Sequence, residues 1–376
     1  MERVFVYEHL TGGGILERGG RETSLAALLT EGRALRDALT EDLLGAGWAV
    51  DVLEDSQRDT RPPAGATIHA VEDRQRQRGK FRELASRADH TILIAPECGG
   101  VLLECCRQAE RSGARLRSPP AEFVAVAADK QQTVCRLAAA GVPVPSGVLV
   151  AAGAALPEVF AWPALVKPLD GAGSLGIRRI PNAGLAAAFP RQAHPLRLET
   201  FCSGLAASVA LLCGPAAGGR RAVARGSGAT DFSDGSCVRF RPALVQPLPA
   251  ARQHLAADGS CRYRGGALPL ESGLCRRAQR LGLRALQALP PATGWIGIDL
   301  ILGPAADGSA DVVVEVNPRL TSSYVGLRRL CRDNLAAAML GAAVGQPIPI
   351  GFDHGSWQFD ADGRVRPGPE AVERIA

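Results

Sequence analysis

The segment ALVKPLDGAGSLGIRRI, residues 164–180, carries the spacing Gly171-x-Gly173-x-x-Gly176 shortly after Lys167. A dinucleotide-binding fold needs such glycines between a strand and the N-terminus of a long helix, because the helix end holds the pyrophosphate. Here the glycines lead into the short strand-like run IRRI and a proline. A protein kinase loop is also followed by a strand, but its lysine lies downstream of the glycines. The segment is therefore predicted to be a glycine-rich hairpin with a lysine on its entering strand.

Glycines in a hairpin let the backbone approach phosphate oxygens, and a nearby ammonium group neutralises the phosphate charge. An ordinary β-hairpin with a solvated lysine has the same pattern, so the motif alone leaves both interpretations open. The basic composition adds information, because Lys and Arg total 43 and the only lysines are Lys80, Lys130 and Lys167. A lysine retained in such an arginine-rich chain is a candidate for a role that needs a compact ammonium group.

The N-terminal third of the chain alternates strand-like and helix-like segments. VFVYEHL, WAVDVLED and HTILIAP are predicted strands, and leucines from Leu25 to Leu43 recur at helical spacing. This alternation predicts a small parallel sheet over residues 1–118 that ends at Ser118-Pro119-Pro120.

Further elements are predicted downstream. A helix is expected to begin at Asp129-Lys130 and end at Gly141, and ESGLCRRAQRLGLRALQAL is a second predicted helix. GWIGIDLILG and DVVVEVNPRL are expected to pair as antiparallel strands. Residues 214–266 are rich in Gly, Arg and Ala with few periodic apolar positions, so long loops are expected there.

This strand pair carries acidic side chains. Alternation along a strand places Glu315 and Asn317 on one face, and Asp299 lies on the neighbouring strand. If Asp299 faces the same side, three oxygen ligands of the kind that Mg²⁺ prefers converge there. Two carboxylates among Ile, Leu and Val are costly to bury unpaired. An ion pair with Arg319 or another arginine is the alternative explanation.

Composition and simple motifs argue against several classes of protein and of binding site. Apolar residues make up 46% and charged residues 22% of the chain, as in ordinary globular proteins. No apolar run reaches the ~18 residues of a membrane helix, and no export signal is visible, so a cytoplasmic location is expected. The cysteines form no C-x-x-C pair that would indicate zinc. The net charge of +5 is spread along the chain without a basic run, so nucleic acid is not an expected partner.

Several motifs occur in the order found in the ATP-grasp superfamily, which the chain resembles over roughly residues 118–335. They are Lys130, Lys167, the glycine hairpin, LETFCSG, Asp299 and the run EVNPR. The resemblance implies an α/β (α+β) fold that has a pre-ATP-grasp parallel αβ domain at 1–118. A small lobe with a glycine-rich lid would follow at 119–200, and a large lobe with the metal site at 201–376.

The resemblance also implies ATP as cosubstrate and assigns roles to residues. Lys130 and Lys167 would contact the α- and β-phosphates, and Arg319 would act with Lys167 in catalysis by stabilising charge on the transferring phosphoryl group. The resemblance further implies a loop that covers the phosphates, formed by Gly171, Ala172, Gly173, Ser174 and Gly176. The adenine would be bound by Glu199, Phe201 and Cys202. One or two Mg²⁺ ions, with Mn²⁺ as an alternative, would be held by Asp299, Glu315 and Asn317.

One departure from the family pattern concerns the ribose. Many members carry a second acidic residue a few positions after the hinge glycine, whereas Gly204 is followed here by Leu-Ala-Ala-Ser. Ser208 is the residue assigned to the ribose contact in its place.

A narrower resemblance is to the tyramine–L-glutamate ligase group of methanofuran and methylofuran biosynthesis. It is carried by VFVYEHLTGGG, IAPECGGVLLE and EVNPRLTSSYVGL. It implies that an acyl phosphate of the L-glutamate γ-carboxyl is attacked by tyramine, or by tyrosine, in a one-carbon cofactor pathway. Ser322, Ser323 and Tyr324 would line the acceptor side. A turn followed by a packed tyrosine is the alternative for these residues.

Other functions stay open on the sequence. A ligase for another amino-acid or peptide substrate is one, including the D-alanine–D-alanine and pyrrolysine-pathway types. A catalytically silent nucleotide-binding module and an oxidoreductase with an unusual dinucleotide site are others. Small-molecule substrates are the expected partners, a membrane is not expected, and a homodimer is an expectation from the family.

Overall fold

The computed structural model describes residues 1–15, 22–169, 171, 176–215 and 244–368. Within these ranges the backbone forms three β-sheets with helices packed on them. None of the helices in these ranges is long and apolar enough to cross a membrane.

The N-terminal sheet is parallel, as predicted, with four strands in the order β3-β2-β1-β4. Its strands are β1 (Arg3–Glu8), β2 (Ala49–Asp55), β3 (Thr67–Val71) and β4 (His90–Ile94), and its helices are α1 (Glu22–Gly45), α2 (Arg74–Arg87) and α3 (Val101–Arg111). Strand β1 and the edge strand β4 are almost wholly buried because helices cover the sheet. Strand β3 was not predicted. It is an edge strand whose first four residues are exposed or half-buried, so it lacks a buried apolar run.

A second, antiparallel sheet follows in the order β5-β8-β6-β7. It is preceded by α4 (Ala121–Ala127) and α5 (Lys130–Ala139), and it contains β5 (Gly147–Val150), β6 (Ala164–Pro168), β7 (Arg178–Ile180), α6 (Ala183–Ala187) and β8 (Leu196–Thr200). Helix α5 begins as predicted, because the Asp129 side chain accepts the backbone N–H groups of Gln131 and Gln132. This cap places Lys130 in the first helical turn.

The third sheet has eight strands in the order β14-β13-β9-β11-β12-β15-β16, with β10 paired to β9. The strands are β9 (Leu205–Gly214), β10 (Leu244–Pro247), β11 (Ala251–Leu255), β12 (Tyr263–Leu268), β13 (Gly294–Leu302), β14 (Val312–Asn317), β15 (Trp357–Asp360) and β16 (Val365–Pro367), and the helices are α7 (Ser272–Gln287), α8 (Ser323–Leu330) and α9 (Leu335–Ala343). The predicted antiparallel pairing of β13 with β14 is confirmed.

Long loops were expected over residues 214–266, and this expectation was wrong for the residues of that segment that the structure describes. Strands β10, β11 and most of β12 lie there, and residues 216–243 fall outside the described ranges. These strands are held mainly by backbone pairing, so they lack the apolar periodicity that marks a strand in sequence. At Gly265 and Gly266 the neighbouring backbone approaches so closely that a Cβ would collide with the carbonyl oxygens of Phe359 and Arg252.

The N-terminal unit packs against the third sheet through α1, α8 and α9. Leu39 and Leu43 of α1 belong to the same buried cluster as Leu330, Leu335 and Met339. The Asp42 carboxylate at this contact accepts hydrogen bonds from two side chains of α8, Tyr324 at 2.5 Å and Arg328 at 2.6 Å. The N-terminal unit is thus docked on the helices of the third sheet, while the domain boundaries at 118 and 200 stay predictions.

Gly214 at the end of β9 provides a test of this packing. A Cβ there would meet the backbone oxygen of Ala342 in α9, which cannot rotate away. Gly214→Ala is therefore expected to lower the free energy of unfolding by about 1–3 kcal/mol, measured by urea denaturation. Gly45→Ala is the matched control, since no atom lies within 4 Å of its added Cβ. Equal stability of the two variants would contradict the close contact.

Candidate active site

A cavity of about 160 Å³ lies between the second and third sheets. It is lined by residues from both sheets, from α1 and from the turn before α8. The residues predicted from sequence that line it are Lys167, Glu199, Phe201, Cys202, Ser208, Asp299, Glu315, Asn317, Arg319, Ser322 and Ser323. The fold thus brings together side chains that are far apart in the sequence.

Lys167 and Glu199 form a buried ion pair at this cavity, with 4% and 2% of their surfaces exposed. Strands β6 and β8 are adjacent, and their register brings the two side chains to one face. Arg197 Nε lies 3.3 Å from the second Glu199 oxygen, and its other nitrogens donate to Gln131 Oε1 at 2.7 Å and to the Pro145 carbonyl at 3.1 Å. Glu199, the residue implied for adenine, is therefore held by two cations.

Arg197 was missed by sequence reasoning. The signal available for it was the run LRLET, in which Arg197 and Glu199 alternate onto the same strand face. An arginine is common in this chain, so the alternation alone did not distinguish it from a surface residue.

Lys130 links the glycine segment to the third sheet. Its Nζ donates to the carbonyl oxygen of Gly171 at 2.7 Å and lies 2.7 Å from Glu315 Oε1. Gly176 has φ of 78°, a conformation that favours glycine. Ala172, Gly173 and Ser174 lie outside the described residues.

The segment after β8 offers a surface for a planar group. Phe201 lines the cavity, and the Arg179 guanidinium lies 4.4 Å from the centre of its ring. The Phe201 N–H donates to the Pro163 carbonyl at 3.0 Å, so it is already used within the protein. The neighbouring Cys202 backbone is the one left for a hydrogen bond to a ligand at this position. Ser208 lies further along, on β9 opposite Asp299, rather than in the segment after β8.

Asp299 and Glu315 are directly opposite each other on β13 and β14, and Asn317 is opposite Gly297 on the same pair. Glu315 and Asn317 thus lie on one face, as alternation along the strand indicated, and Asp299 faces the same side. Asp299 accepts hydrogen bonds from Gln253 at 2.8 Å and from Asn317 at 3.2 Å. Gln253, on β11, is a further site residue that the sequence analysis missed, because β11 lies in the segment assigned to loops.

The two carboxylates differ in charge state. Burial and then the neighbouring Glu315 raise the pKa of Asp299 to about 7. Burial also opposes ionisation of Glu315, but the contact with Lys130 outweighs it and lowers the Glu315 pKa below its usual value. Ionising both carboxylates together therefore costs free energy, and a bound divalent cation would offset this cost.

The donor set fits Mg²⁺ or Mn²⁺. Two carboxylates and one amide supply hard oxygen ligands, and in the described part of the chain no group of three His, Cys, Asp or Glu side chains forms a protein-only metal site. Mg²⁺ commonly takes one or two carboxylates and completes its coordination with phosphate oxygens and water. Such an ion is thus expected to bind together with a nucleotide.

Arg319 contacts two acidic residues of the N-terminal unit. Its Nε lies 2.8 Å from Glu97 Oε1, and its Nη1 lies 4.0 Å from Glu31 Oε1. Burial opposes the charge of Arg319, but Glu97 and Glu31 outweigh it and raise the Arg319 pKa above its usual value. The alternative explanation, in which Arg319 mainly neutralises the strand carboxylates, is not the arrangement seen, since Lys130 takes that place on Glu315. Glu31 and Glu97 were not predicted.

The residues after Arg319 divide into two groups. Ser322 and Ser323 line the cavity, and Ser322 Oγ donates to the hydroxyl oxygen of Tyr263 at 3.1 Å. The expectation that Tyr324 lines the acceptor side was wrong. Its side chain is fully buried, packs edge-on against Trp295 and donates to Asp42. The helix that begins at Ser323 turns this residue towards α1.

Asp299 generates a prediction for the metal-free protein. Its pKa is higher in the folded state than in the unfolded chain, so its contribution to stability is present at low pH and is lost as the pH rises towards and past 7. Asp299→Asn is therefore expected to gain stability relative to the unsubstituted protein by about 1–3 kcal/mol between pH 5 and pH 8. Urea unfolding in EDTA at both pH values measures this difference. The exposed Asp59→Asn is the control, and an equal change in both variants would refute the assignment.

Comparisons with known proteins agree with this architecture. Residues 50–124 match the pre ATP-grasp 3 domain model, and residues 240–323 match the ATP-grasp domain model. No curated protein matches the chain significantly.

Solved structures of similar fold cover nearly the whole chain. An ATP-grasp superfamily protein from Archaeoglobus fulgidus is 16% identical, with a TM-score of 0.63 over 96% of this chain and 92% of that one. The L-amino acid ligase from Bacillus licheniformis is 16% identical, with a TM-score of 0.64 over 95% and 79%. N5-carboxyaminoimidazole ribonucleotide synthetase from Thermus thermophilus is 17% identical, with a TM-score of 0.64 over 94% and 82%.

At these identities the likeness to solved structures concerns the fold, and the two domain models agree with it in order and position. The mixed α/β fold expected from the sequence is thereby confirmed. The chain combines a pre-ATP-grasp domain with an ATP-grasp domain and has the fold of the ATP-grasp superfamily.

Proposed function

We propose that the protein is an ATP-dependent ligase that joins a carboxylate to an amine through an acyl phosphate. The observation that carries this proposal is the convergence of Lys167, Asp299 and Glu315 at one cavity between two sheets, with Lys130 in contact with Glu315. Two of the similar structures are themselves described as a ligase and a synthetase. A silent nucleotide-binding module would not need the opposed carboxylates, and no feature of the described site favours a dinucleotide.

The residues have distinct roles in this proposal. The ring of Phe201 and the backbone of Cys202 would border the adenine, and Ser208 the ribose. Lys130 and Lys167 would turn from Glu315 and Glu199 to the phosphates, with the segment from Gly171 to Gly176 above them. When bound, a divalent ion held by Asp299, Glu315 and Asn317 would supply positive charge beside the transferring phosphoryl group. These assignments rest on the geometry described and on the family resemblance.

The proposed reaction has two steps, transfer of a phosphoryl group to the acid and transfer of the acyl group to the amine. A carboxylate oxygen of the acid attacks the γ-phosphorus of ATP, so a new P–O bond forms while the bond to ADP breaks. The amine nitrogen then attacks the acyl carbon, a C–N bond forms, phosphate leaves and the nitrogen loses a proton. Lys167 and Arg319 would stabilise the negative charge that develops in these steps, where one well-placed donor is worth about 3–4 kcal/mol. Holding both reactants in place contributes about 7–11 kcal/mol more.

The finer proposal concerns the substrates. We infer L-glutamate as the acid, through its γ-carboxyl, and tyramine or tyrosine as the amine, in a one-carbon cofactor pathway of the methanofuran type. The support is the resemblance of three segments, which include the TGGG turn after β1, the PECGG turn after β4 and the run through Ser323. Other amino-acid or peptide substrates are the alternative outcome of the test.

The test is ADP release by the purified protein with Mg²⁺ and L-glutamate, with and without tyramine or tyrosine, and with the product identified by mass. Release that requires both substrates and yields a γ-glutamyl amide is the expected result. Tight binding of ATP with no release would keep the nucleotide site and reject these two substrates. Absence of ATP binding would reject the proposal as a whole.

Lys167→Arg gives a further prediction. Lys167 is buried beside Glu199, and a planar guanidinium cannot replace a compact ammonium group in that space. The variant is expected to lose at least about 100-fold in kcat/KM for ADP release, as for loss of one stabilising donor. Lys80→Arg is the matched control, because Lys80 lies on α2 in a half-exposed pair with Glu83. A Lys167→Arg enzyme with normal turnover would remove Lys167 from the proposed machinery.

A further inference from the structure

The acidic residues that line the cavity are not all accounted for by the nucleotide and metal. Four of them, Glu31, Glu199, Asp299 and Glu315, line the cavity. Glu199 faces Lys167, Glu315 faces Lys130, and Asp299 belongs to the carboxylate pair. Glu31 has no role in the reaction as proposed so far.

Glu31 also has little neutralising charge. Among described residues its one ionic contact is Arg319 Nη1 at 4.0 Å, and Arg319 lies closer to Glu97, at 2.8 Å. The Glu97 carboxylate is more than nine-tenths buried and neither oxygen has a well-aligned hydrogen bond in the described structure. One arginine thus serves two carboxylates, and burial raises the pKa of Glu31, so a bound cation would favour its ionised form.

Two polar side chains accompany Glu31. Tyr263 lines the same cavity as Glu31, and burial raises the pKa of its phenol, so the hydroxyl group stays protonated. Ser322 lines the same cavity and donates to the Tyr263 hydroxyl, so lone pairs of the Ser322 oxygen stay available as acceptors. A carboxylate, two hydroxyl groups and an aromatic ring together suit an alkylammonium group.

We propose that Glu31, with Tyr263 and Ser322, binds the ammonium group of the amine substrate, which transfers one proton to the Glu31 carboxylate before the nitrogen attacks the acyl carbon. The inference rests on the proposed ligase function and deepens it. The γ-carboxylate of the acid substrate is a poor fit here, because it would meet Glu31 and Glu97 with only Arg319 between them. The α-ammonium group of L-glutamate is the competing occupant, and it is distinguished by the test below, since its loss would lower amide and hydroxamate formation together. Glu31 comes from α1, so the N-terminal unit would contribute directly to the choice of the amine.

The test separates amine binding from acyl phosphate formation. Hydroxylamine is a small nucleophile that is largely uncharged near neutral pH, and it converts an acyl phosphate to a hydroxamate without an ammonium site. The enzyme is supplied with ATP, Mg²⁺ and L-glutamate, and with either tyramine or hydroxylamine, and the amide and hydroxamate are measured by mass. Tyrosine replaces tyramine if it is the better acceptor.

Glu31→Gln is expected to lower the ratio of amide to hydroxamate formation at least about tenfold, the change expected for loss of one charge-assisted hydrogen bond. Glu41→Gln, on the same helix but half-exposed and paired with Arg328 at 3.1 Å, is expected to keep the original ratio. A Glu31→Gln enzyme with an unchanged ratio overturns the inference alone. An unsubstituted enzyme that forms neither product overturns the proposed function, and the inference with it.

A second measurement needs no variant and is unaffected by misfolding. Binding of tyramine and of tyrosol, which carries a hydroxyl in place of the ammonium group, is compared by calorimetry on the unsubstituted protein with ADP and Mg²⁺ and without L-glutamate, so that no acyl phosphate forms. Tyramine is expected to bind at least about tenfold more tightly, by the same reasoning. Equal affinity for the two compounds overturns the inference.

Discussion

The opposition of Asp299 and Glu315 across β13 and β14 sets the conditions for the rest of the site. Two carboxylates on one face of a sheet repel each other, and burial increases the cost. The protein offsets this with an ammonium group on Glu315 and with amide donors on Asp299. Each partner comes from a different element, so the site exists only when α5, β11 and the strand pair are assembled.

The same solution recurs at two other places around the cavity. Glu199 is held between Lys167 and Arg197, and Arg319 lies between acidic residues of the N-terminal unit. Each of these buried charges therefore has a counter-charge nearby. Removing one member of such a pair leaves the other uncompensated, which costs more than the pair itself contributes to stability. This interdependence links the second sheet, the third sheet and the N-terminal unit to the chemistry of the cavity.

The site residues that could be predicted are those marked by a pattern within a short stretch of sequence or by the composition of the chain. The β13–β14 pair follows from alternation within two short runs, and the two site lysines stand out because lysine is rare in the chain. Strand β3 and strands β10–β12 were not predicted, since an exposed edge and glycine-rich pairing give no apolar period. Tyr324 was assigned to the wrong side because adjacency to Arg319 in sequence does not fix the direction of a helical side chain. Residues that depend on long-range contacts had no such signal: Glu31 lies in the leucine-rich helix α1, and only the docking of the N-terminal unit on α8 and α9 brings it to the cavity.

The contact of Lys130 with both Gly171 and Glu315 has a consequence for the order of ligand binding. In the proposed function Lys130 would release Glu315 to reach a phosphate, and the freed carboxylate would attract a divalent cation. The cation would in turn repel Lys130 from Glu315 and favour its position at the phosphate. Nucleotide and metal would therefore each strengthen the binding of the other, and by the same factor, because such coupling is reciprocal. The lysine would act as an internal counter-ion that occupies the metal position until the nucleotide binds.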